Sequence, residues 1–176
     1  MAGHTFCTSE VQTTIPLLRE VYDDTMTKVL YVGPDTCSMI SKLLIVDEDD
    51  YEAWGVEPYD FDSSYFHCWD LIHKGIIRVA DVKFDLPYEK NSFSHVIISD
   101  TLEYFSSRYL NSTIFELMRV SREGVIIFAG KPLILVSFYR YPKHLEVIRI
   151  IQFQNLPDTN LTMRPNSEVL RGGKGI

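Results

Sequence analysis

Cysteine is scarce: Cys7, Cys37 and Cys68 are the only three in 176 residues. They form no C-x-x-C pair and have no histidine at finger spacing, which argues against structural zinc, and the odd count argues against a pure disulfide framework. Each reads as a small buried apolar residue. Glycine (9) and proline (8) follow no period, so collagen-like and proline-rich classes are excluded. Basic excess is missing too. The 17 Lys and Arg face 24 Asp and Glu, a net charge of −7, the wrong sign for a general nucleic-acid binder. The longest apolar stretch, Gly124 to Phe138, is broken by Lys131-Pro132 and falls short of the roughly 20 residues a bilayer span needs. Met1 to Ser9 has no basic n-region and no apolar h-region, so neither a signal peptide nor a membrane segment is expected in this chain.

What remains is ordinary globular composition, 45% apolar and 23% charged, at a length that suits one domain. The charge is unevenly spread. Residues 1–130 hold 10 basic and 21 acidic side chains, and residues 131–176 hold 7 and 3. The sign change divides the chain into a domain over 1–130 and a divergent basic extension over 131–176.

Val11, Ile15, Leu18 and Tyr22 fall on one helical stripe, with Ser9 as an N-cap and Pro16 as a kink or the true start. Lys28 to Gly33 is a buried strand. Asp35 then caps a helix whose inner face is Met39, Ile40, Leu43 and Leu44. Further strands are expected at Glu52–Glu57, Gly75–Ala80, His95–Ser99 and Gly124–Gly130. A helix over Ser63 to His73 stops at Lys74-Gly75, and Thr113-Ile-Phe-Glu116 has the pattern of a capping box opening another. Near-continuous apolar strands bracketing helices describe a doubly wound, mostly parallel α/β sheet. Ligands of such sheets lie beyond the carboxyl ends of the strands. Those ends carry Gly33-Pro-Asp35, Glu57, Asp81, Asp100 and Lys131. A nicotinamide cofactor would need G-x-G-x-x-G, but this loop has one glycine, and Asp35 would repel a pyrophosphate. A cationic ligand without pyrophosphate, such as S-adenosylmethionine, suits the carboxylates better.

Val29-Leu-Tyr-Val-Gly33, Gly55-Val-Glu57, Val79-Ala-Asp81 and Leu86-Pro…Ser92-Phe-Ser-His-Val96 resemble the class I S-adenosylmethionine-dependent methyltransferases, with Ser94 where aspartate is usual. Cys7-Thr-Ser-Glu-Val-Gln12, Val32-Gly-Pro-Asp-Thr-Cys-Ser38, Ala53-Trp-Gly-Val-Glu-Pro-Tyr-Asp60 and Arg108-Tyr-Leu-Asn111 narrow the resemblance. They are similar to the plant cotton-Golgi-related family, to which methyl transfer to pectin (homogalacturonan) is ascribed. The likeness spans about residues 6–132; it begins almost at Met1, so the N-terminal anchor that members of the family carry is not expected in this chain, and the later region diverges. The resemblance therefore implies a Rossmann-like fold and leaves its last two strands open, the tail reading either as a poorly packed extension or, over Ile148 to Leu156, as a remnant of a later family segment.

By the same resemblance Gly33 and Asp35 line the loop beside the methionine part of the cofactor, and Glu57 accepts both ribose hydroxyls. Asp81, with Val82 beside it, accepts the adenine amino group. Asp100 and Thr101 form the floor under the methyl group. Asp100 and Lys131 are the candidate catalytic residues, Lys131 steering a polyanion together with Lys74 and Arg108; no metal is implied. His67, His73 and His95 lack metal-ligand spacing, His95 reading as a core histidine. Asn111 and Asn160 open glycosylation sequons, otherwise a turn and a helix cap. The expected function is methyl-esterification of galacturonate carboxylates in cell-wall pectin. The alternatives are a non-catalytic fragment that binds cofactor or a partner, and a small-molecule O-methyltransferase. The family implies the Golgi; a chain translated without leader or anchor would be cytoplasmic.

Overall fold

The alternation of helical and strand-like periods is realised as a layered α/β structure. The computed structural model describes residues 8–44, 51–57, 68–129 and 148–152. In chain order these form α1 (Thr8–Tyr22), β1 (Lys28–Val32), α2 (Thr36–Leu44), β2 (Glu52–Glu57), α3 (Trp69–His73) and β3 (Ile77–Val79). Then follow β4 (Phe93–Ser99), α4 (Ser107–Val120), β5 (Ser121–Ala129) and β6 (Ile148–Gln152). The strands make one parallel sheet in the order β3-β2-β1-β4-β5-β6. The order runs outward in one direction from β1 and in the other from β4. The reversal between them creates a crevice at their carboxyl ends.

Successive residues of a strand face opposite sides, and here both sides are covered. From β1, Val29 and Tyr31 pack with Val11, Ile15 and Leu18 of α1 and with Met39 and Ile40 of α2. Leu30 and Val32 pack on the other face with Leu110, Ile114 and Leu117 of α4. The stripe predicted for the first helix is therefore its buried face. Ser9 lies inside α1 rather than capping it, and Pro16 lies in its middle rather than at its start.

Three expectations are corrected. Thr113 to Glu116 does not open a helix: α4 begins at Ser107, and Thr113 is fully buried in its interior. The capping-box pattern arises there from another task. Glu116 pairs with Arg119 and accepts the Leu86 N–H at 2.7 Å, while Arg119 donates to the Leu86 carbonyl at 3.2 Å, clasping the β3–β4 connection to α4. The Asn111 sequon is likewise mid-helix, not a turn; Asn160 lies outside the described residues. Third, the tail is not merely appended. Ile148–Gln152 pairs in parallel with β5 from Val125↔Ile148 to Ala129↔Gln152, and Ile148 is buried. The change of charge sign reports surface composition, whereas strand pairing is governed by the apolar Ile148 and Ile150 and by an otherwise unpaired β5 edge.

The Ser94 departure has a local reason. Its hydroxyl accepts the Lys28 N–H at 3.0 Å and donates to the Lys28 carbonyl at 2.8 Å, closing the amino-terminal end of β1 against β4. An ionised aspartate could accept but not donate there.

Candidate functional site

The loop after β1 turns directly into α2. Asp35 has φ 54°, and its carbonyl accepts the Met39 N–H at 3.1 Å, the first bond of that helix. The left-handed backbone is one that aspartate tolerates better than most residues. Gly33 is required by a close approach: a Cβ there would lie 2.7 Å from Ser99 Oγ, 2.9 Å from the Tyr31 hydroxyl and 3.0 Å from the Ser99 carbonyl. Gly55 serves the same end from β2, because a Cβ would collide with Thr36 and Ile40 of α2. Gly33 thus lets the loop lie against the end of β4, and Gly55 lets α2 pack closely over β2. Thr36 then ties the ends of β1 and β2 together, its N–H reaching Glu57 Oε2 at 3.3 Å and its hydroxyl the carbonyls of Gly33 (2.7 Å) and Val56 (3.0 Å).

Asp100, after β4, has φ 46° and is almost completely buried; Thr101 is buried beside it and donates to the Ser99 carbonyl at 2.8 Å. Tyr31 reports how these residues converge. Burial pushes its phenol far above the ordinary range, its hydrogen bond to Ser99 offsets this in part, and the charges of Asp100, Asp35 and Glu57 push it further up. Asp35, Glu57 and Asp100 thus end or follow the adjacent strands β1, β2 and β4, and the charges of all three act on one buried hydroxyl where strand order reverses. Glu57 is 8% exposed and Asp35 is open to solvent, so the crevice joins a sheltered and an accessible carboxylate.

Asp81 stands apart from this group. It is exposed, and its carboxylate accepts the Lys83 N–H at 3.1 Å and pairs with Lys83 Nζ at 3.3 Å. Val82, next to it, is buried against the α4 side of the sheet. Of the steering cations, Arg108 is exposed in the first turn of α4, near the carboxyl edge. Lys74 sits at the far edge, just before β3, paired with Asp70 at 2.7 Å, so its steering role is not supported by its position. Lys131 and His67 lie outside the described residues. His95 is buried against Tyr22 at the amino-terminal end of β4, where burial lowers its pKa, and His73 stacks on Trp69. Among the described residues no group of three His, Cys, Asp or Glu is placed to hold a metal, and no helix is long and apolar enough to cross a membrane.

Sequence reasoning missed two features. The first is the buried hydroxyl pair of Tyr31 and Ser99, 2.7 Å apart, which looks like any polar interruption of an apolar strand. The second is a disulfide joining Cys37 of α2 to Cys68 just before α3, with Cα atoms 5.5 Å apart. This corrects the reading of three separate thiols. An odd count excludes pairing all cysteines, not pairing two whose elements the fold brings together.

Comparison with known proteins fits this architecture. Two Arabidopsis thaliana proteins, each named "Probable pectin methylesterase" (CGR3 and CGR2), are 54% identical to this chain over 132 residues. The matched region is homologous to this plant pair. It makes up 75% of this chain and 50% of each relative, so the chain spans about half the length of the curated relatives it matches. No family model matches. Among solved structures, the PH0226 protein from Pyrococcus horikoshii OT3 superposes with a TM-score of 0.50 at 20% identity, covering 77% of this chain and 62% of that one. That similarity shows the fold, the Rossmann-like sheet expected from the sequence.

Proposed function

We propose that the β1–β4 crevice binds S-adenosylmethionine and that the protein methylates carboxylates of an acidic polysaccharide, with galacturonate of pectin as the acceptor. The observation that carries this reading is the gathering of Asp35, Glu57 and Asp100 around the Gly33 turn. Such a set repels a pyrophosphate and suits a ligand with ammonium and sulfonium groups. The glycine lets this turn lie directly against the end of β4, which brings the first and third of these acids to one crevice.

In this reading Glu57 accepts the ribose hydroxyls, a task for a carboxylate held at a fixed strand end. Asp81 and Val82 face the adenine, Gly33 and Asp35 the methionine part, and Asp100 and Thr101 the floor under the methyl group. When bound, the sulfonium supplies an activated methyl group that an already ionised carboxylate can accept without a general base. The residues therefore act by alignment and by excluding water, and orientation of this kind is worth about 7–11 kcal/mol in favourable cases. Arg108 and Lys131 steer the polyanion towards an otherwise acidic domain. The Cys37–Cys68 bond supports an oxidising compartment such as the Golgi lumen.

The name of the plant relatives favours a second reading, hydrolysis of pectin methyl esters. One experiment separates the two. Radiolabelled methyl from S-adenosylmethionine is offered with de-esterified homogalacturonan, and methanol release is followed from methyl-esterified pectin. Label in the polymer supports the transferase; methanol without label overturns it in favour of the esterase.

A further inference from the structure

Beneath the crevice lies a polar relay that the roles above do not use. Tyr31 projects from β1 and is fully buried, as is Ser99 at the end of β4. Their hydroxyls are 2.7 Å apart, and the phenol also reaches the Pro34 carbonyl at 3.4 Å. Each hydroxyl has one hydrogen, so the arrangement that uses both runs from Ser99 O–H to the Tyr31 oxygen, and from Tyr31 O–H to Pro34. The relay spans the reversal point, and each end immediately precedes a left-handed aspartate: Asp35 after Pro34 and Asp100 after Ser99. The bare Cα of Gly33 lies directly over both hydroxyls.

We propose that Tyr31 and Ser99 are positioning residues that set the separation of Asp35 and Asp100 and so shape the part of the site that receives the methionine end of S-adenosylmethionine. The inference rests on the cofactor reading above and extends it to residues that do not touch the ligand. A buried phenol held neutral remains a donor across the physiological range, so the separation does not drift with pH. Glu57 lies outside the relay, so the ribose and adenine ends of the ligand are not governed by it.

The test compares two ligands by calorimetry on the full chain: S-adenosylmethionine, and adenosine, which lacks the methionine part. Tyr31→Phe keeps the ring and removes the donor. It is expected to weaken S-adenosylmethionine about three- to tenfold, the worth of one neutral hydrogen bond, and to leave adenosine unchanged. Ser99→Ala is expected to do the same, and the double variant to be no worse than either single one, because both break one relay. Hydrogen exchange on the unliganded protein should quicken in both variants at the Asp100 amide, which reaches the Phe128 carbonyl at 3.4 Å, and not at Thr36, whose N–H is held by Glu57. Equal losses for both ligands mean general destabilisation and overturn the positioning role, as does no loss for either. If the wild-type chain binds neither ligand, the cofactor reading itself fails, and the proposal with it.

Discussion

The two ends of the sheet solve the same problem, buried polar groups at strand termini, in opposite ways. At the amino-terminal end two serines each satisfy both backbone groups of one residue, while the buried His95 Nδ1 has no hydrogen-bond partner. Ser94 closes on both backbone groups of Lys28, and the Ser121 hydroxyl accepts the Gly124 N–H at 3.0 Å and donates to the Gly124 carbonyl at 2.7 Å. At the carboxyl end three acids end or follow three adjacent strands, and two of them, Asp35 and Asp100, adopt left-handed backbone. Left-handed backbone costs an L-residue roughly 1–2 kcal/mol, and like charges repel. The second end is held by a disulfide, by Thr36 and by the Tyr31–Ser99 relay. One end closes its polar groups on backbone, whereas the other holds acids and left-handed backbone at the crevice where we propose that the ligand binds.

The largest expected effect concerns the covalent brace. Cys37→Ser or Cys68→Ser should lower unfolding free energy by about 2–4 kcal/mol, as opening a loop of 31 residues predicts, measured by denaturant melts. Thiol titration of the unreduced chain should find Cys7 alone. Equal stability with and without reductant would break this half of the comparison.

Next is a pair of substitutions with crossed outcomes. Glu57→Gln keeps an acceptor for the Thr36 N–H but loses the charge. It should weaken S-adenosylmethionine by about tenfold or more, from hydrogen bonds to a charged acceptor worth about 1.5–3 kcal/mol each, with the melt nearly unchanged. Ser94→Ala should cost about 1–3 kcal/mol of stability by stranding buried backbone groups, with ligand affinity unchanged. If both substitutions move the same observable, the two ends do not differ as described.

Asp35→Gly should be smaller still. Relief of left-handed strain, set against glycine's greater unfolded entropy, leaves a gain of at most about 1 kcal/mol, while S-adenosylmethionine binding weakens. Smallest is a pH effect away from both ends. The Arg119 side chain, followed by the Leu86 N–H, holds the Glu116 carboxyl below its ordinary value of 4.5. A carboxyl depressed on folding adds stability above its unfolded pKa, which is lost as pH falls through its folded one. Glu116→Gln should therefore flatten the stability–pH curve below about pH 4.5 and leave it parallel to wild type near neutrality.

Much of this was legible in the chain. Hydrophobic period alone placed Val11, Ile15 and Leu18 on a buried stripe and located five strands to within a few residues, because burial on both faces writes itself as continuous apolar runs. Strand ends followed by Gly33, Glu57 and Asp100 marked the crevice edge, because a parallel sheet sends all its carboxyl ends to one side. The sixth strand was not legible, since charge sign says nothing about strand pairing, and Thr113 to Glu116 misled because a capping pattern and an ion-paired helix interior share the same letters. Tertiary structure alone decided that Lys74 sits at the far edge, that Cys37 meets Cys68, and that Tyr31 meets Ser99. Those pairings lie 31 and 68 residues apart, and contact at such separation depends on strand order and register, which local sequence does not encode.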